Sequence, residues 1–504
     1  MKKFFIWTLT VLMLLSMVAC NQPADPQEQP TEAPTTAPAE GGTETPTTNG
    51  DDKPSEPDDS PLAGAPTYDN SEFTVMFRPD NRFINPVLVE SIEANATSMD
   101  RVVYERMILI EEALQIKFDI VRAEDYNKEM ISSFSNYAKT GVDALDLANV
   151  HGRNVPWNLA ISKSLYDWND LSVDLDATYW SQNAKEEFST AGGKLYFLTG
   201  DANYLTVGTA FSMFFNKAMV NNVNGLEMPY QLVRDGEWTF EVFENYVTTI
   251  YSNLDGTGTG VLGEDSFGYV TPHTRGPVSI LYSTGNSLLT KNQNEPNGYK
   301  YTVYKEVITK AMNDYVGLVL KSGSSLYFRA SNADVKAQMH TAFIGETVAF
   351  IDDEVDFAGT FAKSGMEFGI LPWPMYEDAE GYTSLVDAGV DVFCVPINTS
   401  EENAARISYV LEALSYYGQE SVMPLYYETI LTYQYTKDEE SIEMLGYIHD
   451  SLSFDFAFFY NPGGIATAGS EILNKGGTVS LSGYVDGIVN TIDAALKAWA
   501  EMDE

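Results

Sequence analysis

Polar side chains that can exchange hydrogen bonds with a small molecule recur in this sequence where apolar, strand-like runs end. In open α/β sheets, ligands bind beyond the carboxyl ends of the strands, so loops at that edge can share one site. Each of these residues on its own is more often structural, but at least five such loops are polar at once, and this coincidence predicts a ligand site. The predicted ligand-binding residues of these loops are Asp80, Asn81, His151, Arg153, Asp201, Asn203, His273, Asp352 and Asp387.

Flat aromatic rings complete such a site when the ligand has apolar faces between its hydroxyl groups. The predicted aromatic platforms are Trp157, Trp373, Tyr460 and Tyr484. Three other tryptophans stand in helix-like or packing contexts and are predicted to be core residues, namely Trp168, Trp180 and Trp499.

Two arginines in these loops, Arg78 and Arg153, leave the charge of the ligand open, because arginine pairs well with carboxylate and phosphate groups. The chain has 30 Lys and Arg residues against 72 Asp and Glu residues, a net charge of −42. Such a surface repels phosphate backbones, which excludes nucleic acid as a partner, and it disfavours strongly anionic ligands. We therefore predict that both arginines pair with Asp80 or neighbouring acids and that the ligand is a neutral or cationic small molecule.

Catalytic chemistry finds little support in the sequence. Asp352 and Asp353 are adjacent in a strand-like run, so they point to opposite faces and do not form an acid–base pair. The chain lacks the G-x-S-x-G, H-E-x-x-H and P-loop patterns, and its four histidines are far apart in sequence, which argues against a zinc enzyme. We predict a protein that is not an enzyme and has no cofactor.

The stretch NLDGTGTGVLGED resembles a degenerate calcium-binding loop. Its candidate ligands would be Asn253, Asp255, Thr257 and Glu264. Calcium affinity depends on the number of carboxylates, and this loop has few, so we predict a Gly-rich turn and no metal.

The N-terminus predicts export and anchoring. Lys2 and Lys3 precede an apolar run that is too short for a comfortable membrane span, and small residues then lead to Cys20. The segment SMVAC resembles the bacterial lipobox, which implies a signal peptide over residues 1–19, a lipid on Cys20 and a protein held by acyl chains on the outer face of the cytoplasmic membrane. An ordinary signal peptide with an incidental cysteine is the alternative.

Residues 20–66 are rich in Pro, Thr and Glu and have almost no bulky apolar side chains. Such a segment cannot offset the entropy of ordering, so we predict a disordered acidic spacer. The second cysteine, Cys394, lies in the apolar run VDVFCVPIN. We expect no disulfide and predict that Cys394 is a buried apolar residue.

From residue 67 the chain alternates strand-like and helix-like runs, which predicts α/β sheets covered by helices. One helix has the apolar face Val103, Met107, Ile110 and Leu114, and another, capped by Ser400 and ended by Gly418, has the face Ile407, Val410, Leu411 and Leu414. The length suits two domains rather than one core.

Several stretches together carry a family resemblance, namely AGGKLYFLTGD followed by FSMFFNKAMV, MPYQLVRDGEWTFEVF, EFGILPWPMYEDAEGYTSLVDAGVDVFCVP, and YTKDEESIEMLGYIHDSLSFDFAFFYNPGG. They resemble family 1 extracellular solute-binding proteins, the carbohydrate-type lipoproteins of Gram-positive bacteria. The resemblance implies a two-lobed periplasmic-binding-protein-like fold, each lobe a mainly parallel sheet flanked by helices, with the ligand in the cleft between them.

By that resemblance, lobe one comprises residues 67–200 and 375–417, and lobe two comprises residues 201–374 and 418–504. The protein would be a monomer that captures a neutral sugar or oligosaccharide and delivers it to the permease subunits of an ABC importer. Two alternatives stay open: a surface glycoside hydrolase, which needs two carboxyl groups facing each other across the cleft, and a surface adhesin or sensor subunit without a transport role.

Overall fold

Two five-stranded sheets organise the chain, and each collects strands from distant parts of the sequence. In this computed structural model, the described residues are 60–79, 87–140, 144–254, 260–377, 379–427 and 438–503. The strands are β1 Ser71–Phe77, β2 Ile116–Arg122, β3 Leu147–His151, β4 Phe197–Leu198, β5 Phe211–Asn216, β6 Phe267–Pro272, β7 Leu289–Lys291, β8 Tyr299–Tyr301, β9 Ser325–Phe328, β10 Val348–Glu354, β11 Phe368–Pro372, β12 Ser384–Leu385, β13 Asp391–Cys394 and β14 Leu452–Ser453.

Helices cover the sheets and fill the connections between strands. They are α1 Ser98–Leu114, α2 Lys128–Thr140, α3 Val155–Ile161, α4 Gln182–Phe188, α5 Lys217–Asn221, α6 Tyr230–Arg234, α7 Phe240–Ile250, α8 Gly276–Tyr282, α9 Glu306–Val316, α10 Ala333–Ile344, α11 Ala358–Ser364, α12 Glu401–Tyr417, α13 Met423–Leu425, α14 Glu439–Asp450, α15 Phe456–Tyr460, α16 Ala468–Asn474 and α17 Leu481–Ala500.

The first sheet has the order β2-β1-β3-β13-β4, and the second has the order β11-β5-β10-β6-β9. In the first sheet only β13 runs against its neighbours, and in the second only β5 does. Four of the five strands in each sheet therefore point the same way, which confirms the predicted α/β class with mainly parallel sheets. The two reversed strands are those that the chain enters after leaving the other sheet.

Three connections cross between the sheets. Residues 199–210 lead from β4 to β5, and residues 373–390 lead from β11 to β13. A third leaves α12, which packs on α1 beside the first sheet, and reaches α14, which packs on β11 of the second. The strands divide between the sheets at the places where the two lobes were predicted to meet, and the lobe boundaries themselves stay a prediction.

Local sequence explains the helix ends and core faces. Ser400 accepts a hydrogen bond from the backbone N–H of Asn403 and begins α12, as predicted. α12 ends at Tyr417 with Gly418 as its C-cap, as predicted, and a wider π-helical turn follows over Gly418–Val422 toward the third crossing. The predicted apolar faces of α1 and α12 are buried, and so are Trp168, Trp180, Trp499 and Cys394. Burial raises the pKa of the Cys394 thiol well above its usual value.

The predicted signal peptide and most of the predicted spacer, including Cys20, lie outside the described residues. The end of the predicted spacer, residues 60–66, is described: Leu62 is buried in the core, and Ser60 shares a hydrogen bond of 2.7 Å with the hydroxyl of Tyr417. A single leucine at the end of an otherwise polar segment gave no periodic signal in the sequence. Within the described residues, no helix is both long enough and apolar enough to cross a bilayer.

Candidate functional site

A cluster of charged residues lies where the crossing segments meet the ends of β1, β3, β6 and β10. We call it the junction cluster, and it consists of Arg78, His151, Arg153, Arg275, Asp353, Glu354, Asp387 and Asp391. Its members come from both sheets and from the crossing segment 373–390. The carboxyl ends of parallel strands supply most of it, in line with the rule that predicted polar loops there.

Arg275 is the hub of the junction cluster. It stands just before α8, and its Nη2 donates a hydrogen bond to Glu354 Oε1. Its Nη1 lies 3.6 Å from Asp387 Oδ2, and its Nε lies 3.6 Å from Asp353 Oδ1. Burial lowers the pKa of Arg275, but the carboxylates of Glu354, Asp387 and Asp353 raise it by more. The net effect is a pKa above the usual value, so the guanidinium stays charged. Arg275 therefore ties the second sheet to the crossing segment.

Arg78 forms a second buried pair with Asp391, the first residue of β13. Arg78 Nε lies 3.2 Å from Asp391 Oδ1, and Arg78 Nη1 donates to the carbonyl oxygen of Gly389 at 3.2 Å. Burial raises the pKa of Asp391 to about 7, against the opposing effect of Arg78. Arg78 thus has an acidic partner, as predicted, and this one comes from a strand more than 300 residues away. Asp80, the partner named from the sequence, lies outside the described residues.

His151 ends β3 and is held at the edge of the first sheet. Its Nδ1 accepts a hydrogen bond from the backbone N–H of Arg153 at 3.2 Å, and its ring lies 5.2 Å from that of Tyr126. Burial and the nearby Arg78 lower the pKa of His151 to about 4, against the effect of Asp387, so its imidazole is neutral at pH 7. Tyr126 is 51% exposed, which leaves one face of its ring open beside the junction cluster.

Arg153 differs from the other arginines of the junction cluster. Its guanidinium carbon lies 4.7 Å above the ring centre of Phe458 in α15, and its Nε is buried. Among the described residues, it has neither a hydrogen-bond acceptor for that Nε nor a carboxylate within 4.0 Å. Burial lowers the pKa of Arg153. The positive charge of Arg275 lowers this pKa as well, whereas the negative charge of Asp387 raises it. The predicted pairing of Arg153 with a neighbouring acid is therefore limited to a longer-range attraction to Asp387, whose closer cation is Arg275.

No protein-family model matches the chain, and no curated protein sequence matches it. Solved structures do match. A family 1 extracellular solute-binding protein from Bifidobacterium longum subsp. infantis is 15% identical, with a TM-score of 0.56 over 84% of this chain and 98% of that chain.

Two further matches have stated ligands. The substrate-binding protein Lmo0181 from Listeria monocytogenes, in complex with cycloalternan, is 14% identical, with a TM-score of 0.51 over 85% of this chain and 98% of that one. UgpB from Mycobacterium tuberculosis, in complex with glycerophosphocholine, is 16% identical, with a TM-score of 0.52 over 79% of this chain and 95% of that one. The chain has the fold of the extracellular solute-binding proteins. The resemblance read from the sequence is confirmed at the level of this fold.

In this solute-binding fold, three of the predicted site residues come together in the junction cluster: His151, Arg153 and Asp387. Asp387 Oδ1 accepts a hydrogen bond from the backbone N–H of Gly389 at 2.6 Å, while Oδ2 faces Arg275. Although burial raises the pKa of Asp387, Arg275 and Arg153 lower it below its usual range. Arg275 itself was not predicted, although it stands only two residues after the predicted His273.

Asp352, another predicted site residue, is buried inside the fold in this structure. Its side chain is 0% exposed, accepts a hydrogen bond from Thr271 Oγ1 at 3.1 Å and accepts another from the backbone N–H of Gly276. Burial raises its pKa to about 7, against these hydrogen bonds and one from Tyr269. Buried polar groups need such partners, and Asp352 uses its Oδ2 for both bonds at the start of α8.

Asp353 points the other way along β10, as the alternation of the strand predicted. Its Oδ2 lies 2.8 Å from His340 Nε2, and its Oδ1 lies 3.7 Å from Lys336 Nζ. Burial raises the pKa of Asp353, but the hydrogen bond from His340 and the charges of Lys336 and Arg275 outweigh it and hold the pKa at about 2. Asp352 and Asp353 therefore face different partners and do not form an acid–base pair.

Trp157 and Trp373 are also buried, at 0% and 1% exposure, so neither offers an open face in this structure. Trp157 donates from Nε1 to the carbonyl oxygen of Gly152 at 3.0 Å and stacks at 5.0 Å on Tyr460, which is itself half-buried and bonded to Ala495. Tyr126, an exposed aromatic residue beside His151, was not among the predicted platforms. It lies in the loop that follows β2, and this position after a strand end was the available signal.

Asp201, Asn203 and His273 lie along the crossing segment and near α16 rather than in the junction cluster. Asn203 is buried and accepts a hydrogen bond from Asn149 Nδ2 at 2.9 Å. Asp201 is half-buried and accepts from Gln419 Nε2 at 3.0 Å, and burial raises its pKa to about 7 despite that bond. The carbonyl oxygen of His273 accepts from Ser470.

The remaining candidates do not form a site that the structure describes. Asp80, Asn81, Asp255 and Thr257 lie outside the described residues. Half-buried Tyr484 has Lys475 Nζ 5.1 Å above its ring. Near the predicted Gly-rich turn, buried Asp265 accepts hydrogen bonds from the backbone N–H groups of Leu254 and Val261 at 2.7 Å each. Within the described part of the chain, no group of three or more His, Cys, Asp or Glu side chains is placed to hold a metal ion.

Proposed function

We propose that this protein is a membrane-anchored solute-binding lipoprotein that captures a sugar or oligosaccharide between its two lobes and delivers it to the permease subunits of an ABC importer. The observation that carries the proposal is the junction cluster, which places polar groups from two sheets at the crossing segments of a solute-binding fold. The complex of the similar Lmo0181 with cycloalternan supports a carbohydrate as the ligand.

Ligand binding between two lobes can be coupled to closure of the lobes. A ligand that touches groups from both sheets binds the closed arrangement better than the open one, and it shifts the population by that difference in affinity. The charge of −42 favours a neutral sugar, whereas the cations of the junction cluster favour anionic oxygens. Asp352, Asp353 and Glu354 are buried and engaged by protein groups, so the structure does not favour the hydrolase alternative.

The proposal is tested by binding and closure together. The full-length protein, purified in detergent, would be screened by calorimetry against neutral and acidic glycans. Fluorophores on Lys139→Cys and Lys363→Cys, which lie on α2 and α11, would report on the distance between the lobes by energy transfer. We expect at least one glycan to bind and to change the transfer efficiency without release of new reducing ends. Sustained release of reducing sugar would favour the glycoside hydrolase over the binding protein. If none of the glycans bound, the proposed carbohydrate-binding role would be contradicted.

The anchoring part of the proposal rests on Cys20, and Cys20→Ala is expected to move the protein out of the membrane fraction or leave its signal uncleaved. Alanine cannot be acylated, so the variant has no acyl chains to hold it in the membrane. Each CH₂ group of such a chain contributes about 0.8 kcal/mol of membrane affinity when it is buried. Fractionation of cells followed by immunoblotting measures this. The matched control is Cys394→Ala, a buried thiol that should leave the fractionation unchanged. A Cys20→Ala protein that stays in the membrane at its normal mass would show that the lipobox interpretation is wrong.

A further inference from the structure

Two arginines, one after a strand of each sheet, lie on a shared aromatic base. Arg153 lies on the ring of Phe458 at 4.7 Å, and Arg275 lies on the ring of Phe211 at 4.8 Å. The two phenylalanine rings touch edge to face, with centroids 5.9 Å apart and an angle of 74° between their planes. Arg153 follows β3 of the first sheet, and Arg275 follows β6 of the second. The pair therefore spans the junction between the sheets.

The charges of the two arginines are balanced unequally. Arg275 has Glu354, Asp353 and Asp387 around it at the distances given above. Arg153 has no carboxylate within 4.0 Å among the described residues, and Asp387 is turned toward Arg275. A guanidinium carries five N–H donors, and the buried Nε of Arg153 has no acceptor among the described residues.

A partly buried arginine with an unbonded Nε and no carboxylate within 4.0 Å among the described residues has room for a further partner. Burying a charged group without a hydrogen-bonding partner is costly, so native proteins pair or hydrogen-bond nearly all such groups. A neutral hydroxyl group can accept a hydrogen bond from Arg153, but it adds nothing to the partial charge compensation that Asp387 provides. Paired anionic oxygens satisfy both needs, because a planar guanidinium binds a carboxylate or phosphate through two parallel hydrogen bonds.

The strongly negative charge of the whole chain does not oppose this local arrangement. At physiological ionic strength, interactions between exposed charges are screened beyond a Debye length of about 8 Å. The contacts within a few ångströms of a buried group therefore decide what binds there. The charged groups that act on Arg153 are the shared carboxylate of Asp387 and a second arginine, Arg275, and the nearby His151 is uncharged.

We infer that Arg153, with Arg275 opposite it, recognises an anionic group on the bound sugar, a carboxylate as in a uronic acid or a phosphate ester. This inference rests on the proposed function and narrows its ligand class from sugars in general to acidic sugars. Arg153 is the residue that selects them. Arg275 holds its position through Glu354 and Asp387 and faces the same group from the second sheet.

The test compares acidic sugars with neutral counterparts that differ only in charge. Calorimetry on the full-length protein would use galacturonate oligosaccharides, their methyl esters, and glucose 1-phosphate beside glucose. We expect an acidic form to bind roughly tenfold to a hundredfold more tightly than its neutral counterpart, because a charge-assisted hydrogen-bond pair is lost on esterification. The uronate and phosphate arms distinguish the two sources of anionic oxygens.

Variants of Arg153 separate recognition from folding. Arg153→Gln should bring the acid-to-ester affinity ratio close to one, and Arg153→Lys, which keeps the charge without the planar fork, should restore it in part. Arg234→Gln is the matched control, because Arg234 is paired with Glu440 and Glu443 at the surface and should keep the full ratio. The wild-type ratio alone tests the inference if Arg153→Gln fails to fold.

The outcomes also distinguish this inference from the function on which it rests. If neutral glycans bind and close the lobes while esterification changes nothing, acidic recognition is overturned and the sugar-binding function stands. If Arg153→Gln weakened the binding of the acid and of the ester equally, Arg153 would support the structure of the site and would not recognise the anionic group. If no sugar of either kind binds, both the inference and the proposed function fail.

Discussion

Arg275→Met is expected to lower the free energy of unfolding by about 3–5 kcal/mol, because it removes one partner of a buried ion-pair network. Methionine fills a similar volume, so the loss reports the charge rather than a cavity. Glu354, Asp353 and Asp387 would remain in a buried environment without the cation that lies closest to Glu354. Urea unfolding of the full-length protein, followed by tryptophan fluorescence, measures the change.

Arg234→Met supplies the matched control for this prediction. Arg234 bonds to Glu440 at 3.1 Å and to Glu443 at 2.8 Å, but both of these carboxylates are exposed. Exposed ion pairs contribute about 0–1 kcal/mol, so this variant should lose no more than that. If Arg275→Met were as mild as Arg234→Met, the junction cluster would not hold the crossing segment in place.

A second variant shows whether the loss comes from the stranded carboxylates. Adding Glu354→Gln to Arg275→Met removes one uncompensated charge, so the double variant should be more stable than the sum of the two single changes predicts. Residues that share an ion pair typically show coupling energies of 0.5–3 kcal/mol in such cycles. Lys336 Nζ lies 3.7 Å from Glu354 Oε1 and will offset part of the loss. Strict additivity would mean that Arg275 and Glu354 act independently.

Local patterns predicted the elements of this fold better than they predicted its site. The apolar spacing of α1 and α12 and the cap at Ser400 depend on neighbours within a few residues, so the sequence displays them directly. The site depends on which side chains of a strand-end loop turn inward. In the loop after β6, the sequence favoured His273, yet the backbone at the start of α8 directs Arg275 toward the carboxylates of β10.

Pairings over long sequence distances explain the other errors. Arg78 pairs with Asp391, and Arg275 pairs with Asp387. These partners are so far apart in the sequence that no local pattern predicts them. Asp352 follows a strand-like run like the other predicted polar residues, but the strand continues through it to Glu354 and keeps it inside the sheet. The predicted polar loops follow the strand ends that supply most of the junction cluster. The sequence pattern did not separate a residue that still belongs to a strand, such as Asp352, from a residue in the loop after it.

Trp157 presents the same difficulty for aromatic residues. As a sugar platform it would have one open face, but the structure surrounds it with rings from several elements. The ring centroids closest to it are those of Phe197 at 4.8 Å, Trp499 at 4.9 Å, Tyr460 at 5.0 Å, Phe456 at 5.5 Å and Phe188 at 5.7 Å. These rings come from α4, β4, α15 and α17. Trp157 therefore fastens the C-terminal helices to the first sheet.

Trp157→Ala is accordingly expected to lower the free energy of unfolding by about 3–5 kcal/mol in the absence of any ligand, the usual cost of removing a large buried aromatic side chain. Tyr126→Ala is the matched control, because Tyr126 is 51% exposed at the edge of the same sheet and should change stability by no more than about 0.5 kcal/mol. Urea unfolding and calorimetry with the best glycan separate the two roles. A platform at Trp157 would reverse the pattern, with glycan affinity lost and stability kept. Because Trp157 is buried on all sides, it has no free face for a sugar. We therefore expect Trp157→Ala to lower the free energy of unfolding, and any loss of glycan affinity to come from Tyr126→Ala.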